Sequence, residues 1–119
     1  MKIQIHSIID KGKLQSERVA LRVQEDCNLM FYCLHLTYEL PEGGFYNRSK
    51  QVYWFPPQQV RTGDWIVIST KTGSSSSRIN QDESTSYFHY LGLDQTIFNN
   101  PNDAIVLAEI NTWQMKNNK

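Results

Sequence analysis

The segment Arg18-Val19-Ala20-Leu21-Arg22-Val23 decides the fold class, because Val19, Leu21 and Val23 alternate with Arg18, Ala20 and Arg22. Successive side chains of an extended chain point to opposite faces, so this spacing makes a strand with one apolar face. The same period of two recurs on either side of it. Ile3 and Ile5 alternate with Lys2, Gln4 and His6. Trp65, Val67 and Ser69 alternate with Ile66 and Ile68 after a turn at Thr62-Gly63-Asp64. From Leu29 to Leu40 both sets of positions are apolar or aromatic: Leu29, Phe31 and Cys33 on one side, Met30, Tyr32 and Leu34 on the other. That predicts a long strand covered on both faces. Val52 to Phe55 reads as a short aromatic strand stopped by Pro56-Pro57, which cannot donate to a ladder. Tyr87 to Leu91, Ala104 to Leu107 and Glu109 to Trp113 complete the set.

Seven or eight short strands separated by turn signals predict an all-β sandwich or barrel. No long stretch carries a 3.6-residue period; Asp94 to Phe98 is expected to form one helical turn capped by Asp94. The chain reads as one domain over residues 1–119. Residues 1–10 form an added N-terminal strand, whose partner is either this chain or a second copy, and residues 114–119 a frayed tail.

Composition narrows the function classes. Of 119 residues, 39% are hydrophobic and 12% aromatic, enough for a packed core rather than disorder. Twelve Lys/Arg balance twelve Asp/Glu, with seven against six in residues 1–50 and five against six in residues 51–119. No long-range field is therefore available to steer nucleic acid or an anionic membrane toward the chain. No apolar run approaches the roughly 18 residues that cross a bilayer. Residues 1–10 lack the apolar segment of a secretory signal, and Asn47-Arg48-Ser49 is taken as a chance sequon. Cys27 and Cys33, about 20 Å apart if the intervening chain is extended, are too distant for a disulfide and read as reduced thiols of a cytoplasmic protein.

Candidate chemistry is sparse. Cys33 and His35 share one strand face, which makes a Cys–His pair or half a zinc site conceivable, but no further ligand pair accompanies them. Lys71-Thr72-Gly73 matches a penicillin-binding element without its Ser-x-x-Lys companion. The acidic residues Glu25, Asp26, Asp64, Asp82, Glu83, Asp94 and Asp103 fall at turns and read as solvated. Asn99-Asn100-Pro101-Asn102-Asp103 reads as a shaped turn. Calcium there would need three or more oxygens from Asn100, Asn102 and Asp103, of which one is charged. No metal or cofactor is expected.

Two connections stand out. Pro41 to Gln51 carries Gly43-Gly44 and the aromatics Phe45 and Tyr46. Thr72 to Ser86 contains four consecutive serines, Ser74 to Ser77, and reads as a mobile loop.

Several short segments resemble the lamin tail domain family. They are Glu17-x-Val19-x-Leu21, Asn28-Leu29, Tyr32-x-Leu34, Trp54-Phe55-Pro56, Val60, Gly63-Asp64, Val67, Thr70 to Gly73, Leu91-Gly92, Ile97 to Asn100, Asn102 to Ala104, and Val106-Leu107. They span residues 17–107. Met30-Phe31 stands where that family has a glycine before the aromatic of its second strand. The resemblance implies an immunoglobulin-like β-sandwich of antiparallel strands acting as a binding or tethering module.

The function expected is thus a non-catalytic interaction module for another protein, with Phe45, Tyr46, Arg48, Lys50 and Tyr53 as its binding residues. The alternatives are single-stranded nucleic-acid binding through loop aromatics with Arg48, Lys50, Arg61 and Arg78, and a small enzyme using Cys33 and His35.

Overall fold

The alternation in RVALRV forms strand β2 (Arg18–Val23), and its apolar side lies in the core: Val19, Leu21 and Val23 are 3%, 0% and 1% exposed. The computed structural model describes all of residues 1–119. In chain order the other strands are β1 (Ile3–Ile9), β3 (Cys27–Asn28), β4 (Tyr32–Tyr38), β5 (Gln51–Trp54), β6 (Gln59–Val60), β7 (Trp65–Ser69), β8 (Ser76–Ile79), β9 (Thr85–Tyr90) and β10 (Asp103–Glu109). One 3-10 turn, Leu29–Phe31, precedes β4. The protein is an all-β sandwich. Its larger sheet runs β1-β2-β7-β9-β8, its smaller sheet β10-β4-β5, and β3 pairs with β6 beside them.

The core lies between the two layers. Leu21, Ile66 and Ile68 of the larger sheet pack in one cluster with Leu34, Leu36 and Leu107 of the smaller, closed by Leu29, Tyr32, Phe55, Val60 and Phe98. Fully burying each such side chain stabilises by about 1.5–3 kcal/mol. β1 pairs with β2 of the same chain, Ile3 opposite Val23 and Ile8 opposite Val19, with a bulge between Ile5 and Ser7. A second copy is not needed to cover it.

The structure departs from the sequence-based expectations in five places. Leu29–Leu40 is not one strand: Asn28 accepts the Met30 N–H at 3.0 Å, and this cap starts the 3-10 turn before β4 begins. The serine-rich connection contains β8, which pairs with β9 from Ser76–Phe88 to Ile79–Thr85. Serine hydroxyls do not prevent strand pairing once a neighbour supplies the ladder. β8 takes the edge of the sheet and the hairpin turns the chain back inward, so β9 lies between β7 and β8 and runs parallel to β7, residues 70–84 linking the two. The strands are therefore ten, and not all antiparallel. β10 ends at Glu109; residues 110–113 leave the sheet. No helical turn forms at 94–98, where the backbone N–H groups of Ile97 and Phe98 bond a buried carboxylate instead.

That carboxylate belongs to Glu17, which is fully buried. It accepts the Gly12 N–H at 2.8 Å, the Ile97 N–H at 2.8 Å, the Phe98 N–H at 3.3 Å and the Thr70 hydroxyl at 2.7 Å. Burial pushes its pKa up, but these donors outweigh burial and hold it below the usual glutamate range. Two acids read as solvated are also built in. Asp64 is buried and accepts the Arg61 and Thr85 N–H groups, both at 2.9 Å. Asp103 accepts the Asn99 and Asn100 N–H groups and a Lys50 ion pair at 2.7 Å. Near a turn, free backbone donors recruit such carboxylates inward.

Candidate functional site: the outer face of the smaller sheet

Register puts Trp54, Cys33 and Ala108 in one row across the smaller sheet, and Val52, His35 and Val106 in the next, with Thr37 beside Ala104 beyond them. The opposite faces of these strands carry Leu34, Leu36 and Leu107 into the core. The outer face is therefore also largely apolar, and the chain covers it from two sides. At one end the 41–50 connection folds back along β4. Thr37 donates its hydroxyl to the Tyr46 carbonyl, and His35 Nδ1 pairs with Ser49 Oγ at 2.9 Å. At the other end the C-terminal segment crosses over. Ile110 N–H donates to the Phe31 carbonyl at 2.7 Å, and Trp113 meets Trp54 edge-on at 5.1 Å and Phe31 at 6.0 Å. Trp54 itself is anchored by its indole N–H, which donates to the Met30 carbonyl at 2.8 Å.

This cover is partial. Val52, Trp54 and Trp113 remain 47%, 45% and 44% exposed, with Phe31 and Met115 exposed as well. Two tryptophans held in place yet half open to water form a preorganised apolar surface, in which little side-chain entropy remains to be lost on binding.

The five expected binding residues do not form one surface. Tyr53 turns inward and pairs with His89 Nδ1 at 2.9 Å. Tyr46 stacks on Tyr38 with ring centroids 4.9 Å apart, and Lys50 is held by Asp103. These contacts clip the connection to the sheet and leave Phe45 and Arg48 exposed on its returning arm. From sequence, Trp54 reads as part of a short aromatic strand and Trp113 as part of the last strand. The available signal was a lone tryptophan and a lone methionine, Met115, in an otherwise polar tail.

Compared with protein-family models, curated proteins and solved structures, the chain matches none. The functional reading therefore rests on the chemistry of its surfaces.

Cys33 and His35 do share the outer face of β4, as expected, but Cys33 is buried and burial pushes its thiol pKa up, away from the thiolate a nucleophile needs. No group of three His, Cys, Asp or Glu side chains is arranged to hold a metal ion. No helix is long and apolar enough to cross a membrane.

The larger sheet carries the most spacious concavity, an open groove of about 740 Å³ bordered by His6, Arg18, Trp65, Arg78 and Phe88. Its aromatic surface is already used within the chain. Arg22 lies over the Trp65 ring at 4.4 Å and His6 meets its edge at 4.8 Å. Arg78 lies over Phe88 at 5.5 Å, and Arg18 pairs with Asp10 at 3.5 Å. The basic residues considered for nucleic acid are dispersed: Arg78 on this groove, Arg48 and Lys50 on the β4–β5 connection, Arg61 at the turn before β7.

Proposed function

We propose that the protein is a non-catalytic interaction module that binds another protein through the outer face of its smaller sheet. The observation that carries this reading is the half-exposed pair Trp54–Trp113, continuous with Val52 and Phe31, with Phe45 and Arg48 exposed on the connection at the opposite end of β4. Exposed aromatic clusters of this kind mark interaction sites, and Trp, Tyr and Arg dominate interface energetics. The resemblance of residues 17–107 to lamin tail domains, which act as tethers, supports the same reading.

The test is affinity capture from native lysate with four proteins: wild type, Val52→Asp/Trp54→Ala, Phe45→Ala/Arg48→Ala, and Trp65→Ala/Arg78→Ala as a control on the other sheet. Partners held by wild type should be lost with the first variant, weakened with the second and retained by the third. Equal capture by wild type and Val52→Asp/Trp54→Ala would remove the proposal. Binding of a single-stranded probe that weakens steeply with salt and depends on Arg78 would favour nucleic acid instead.

A further inference from the structure

The larger and smaller sheets end in the edge strands β1, β8, β10 and β5. Three of these carry features that block the addition of a further strand. β1 has its bulge between Ile5 and Ser7, β5 is four residues long and runs into Pro56-Pro57, and β8 is four residues long with Arg78 inside it. β10 has none of them. It runs seven residues in unbroken register with β4 and holds no proline, lysine or arginine.

Two bonds at the ends of the β4–β10 pair fix which backbone groups face the open side. Glu39 N–H donates to the Asn102 carbonyl and Ile110 N–H to the Phe31 carbonyl, both at 2.7 Å. Antiparallel partners exchange bonds at every second residue, so Ala104, Val106 and Ala108 bond β4. The N–H and C=O groups of Ile105, Leu107 and Glu109 therefore point away from β4, where the sheet order places no strand. No loop backbone bonds them either. The C-terminal segment leaves this edge open, since after Ile110 it crosses toward Trp54 on the far side of β4.

The strand's own sequence points to the occupant. Asp103-Ala104-Ile105-Val106-Leu107-Ala108-Glu109 is chemically symmetric about Val106, with branched aliphatics on either side, then alanines, then acids. Two antiparallel copies centred there meet like with like on both faces, as a two-fold interface requires. Ile105 exchanges backbone bonds with Leu107 of the second copy, Val106 lies opposite Val106, and Ala104 opposite Ala108. The Asp103 carboxylate is turned onto Lys50 and the Asn99 and Asn100 N–H groups, which offset its charge where it nears Glu109 of the second copy.

We infer that β10 pairs with β10 of a second copy of this chain, joining the smaller sheets in the order β5-β4-β10-β10-β4-β5. Both Trp54–Trp113 faces then lie on one side of the joined sheet, and the pairing does not depend on what they bind. A contact of one seven-residue strand per copy is small against the roughly 1,200–2,000 Å² of stable interfaces, so the dimer exchanges with monomer.

Sedimentation of the full chain over rising concentration, read together with amide hydrogen exchange, tests this. Mass should climb from one copy toward two. Exchange at Ile105, Leu107 and Glu109 should slow about tenfold with it, while Ala104, Val106 and Ala108, already bonded to β4, stay unchanged. Val106→Lys sets two ammonium groups face to face and should hold the chain at one copy; Ile79→Lys on the exposed β8 edge should leave the dimer intact. Val106→Cys should cross-link to itself on oxidation, because opposed residues that do not exchange bonds lie within disulfide range, and Ala104→Cys should not. The cysteine variants decide the matter should Val106→Lys not fold. One copy at every concentration overturns the inference and leaves the edge to a strand of another protein. Exchange at Ile105 and Leu107 indifferent to concentration, or cross-linking through Ala104→Cys and not Val106→Cys, overturns it as well.

Discussion

Glu17 Oε1 accepts the Thr70 hydroxyl at 2.7 Å across 53 positions of sequence, in a site with no solvent exposure. The same carboxylate bonds Gly12, Ile97 and Phe98. One charge thus ties together the β1–β2 connection, the exit from β7 and the segment leading toward β10. A buried carboxylate survives only where its oxygens are fully engaged, and here four donors do that.

Glu17→Gln should destabilise by about 3 kcal/mol, because charged hydrogen bonds are lost and the amide NH₂ faces backbone donors. Glu17→Ala should cost more, leaving all four donors unpaired. Urea denaturation checks both, and Thr70→Ala, which removes one donor, should cost roughly 1.5 kcal/mol.

Acid should act in two stages. For His89 the folded pKa lies below the unfolded value, since burial opposes its charge. The unfolded state then binds more protons, so stability begins to fall as pH drops through about 6.5 and levels off at the lower folded value. For Glu17 and Asp103, burial is outweighed by hydrogen bonds and, for Asp103, by Lys50. Their folded pKa values are depressed, so their stabilisation is intact above about 4.3 and is lost as pH falls toward the folded values. Denaturation midpoints from pH 8 to 3 should show both declines, with the first absent in His89→Phe.

Gly73 packs against Tyr90, and an added Cβ would overlap its ring. Gly73→Ala should force that ring aside, cost about 1–2 kcal/mol and loosen the approach to β8. Hydrogen exchange at Ser76–Ile79 should accelerate while Leu21 and Ile66 amides stay protected.

Trp113→Ala removes the edge-to-face contact with Trp54 and should cost about 1 kcal/mol. Trp54 emission should shift to the red as its ring gains water. No emission change would mean that the tail does not rest on the sheet in solution.

The all-β class was legible in the alternation of residues 18–23 and 65–69, because period-two burial is a local property of an extended chain. The order of the strands was not. The parallel β7–β9 pairing depends on where the β8–β9 hairpin docks, and Ser74–Ser77 carries no apolar signal for it. For the same reason nothing in the sequence marked Glu17 as a buried anchor: its Ile97, Phe98 and Thr70 donors lie in segments far along the chain.

By itself the sequence determined the core-facing sides of β2 and β7 and where the chain turns, since alternation, proline and glycine act through the backbone of their own neighbourhood. Tertiary structure alone decided that Trp54 and Trp113 meet on an open face and that Tyr53 pairs with His89 where the two sheets join. Those pairings join residues from different layers, and no local spacing encodes which layers come together.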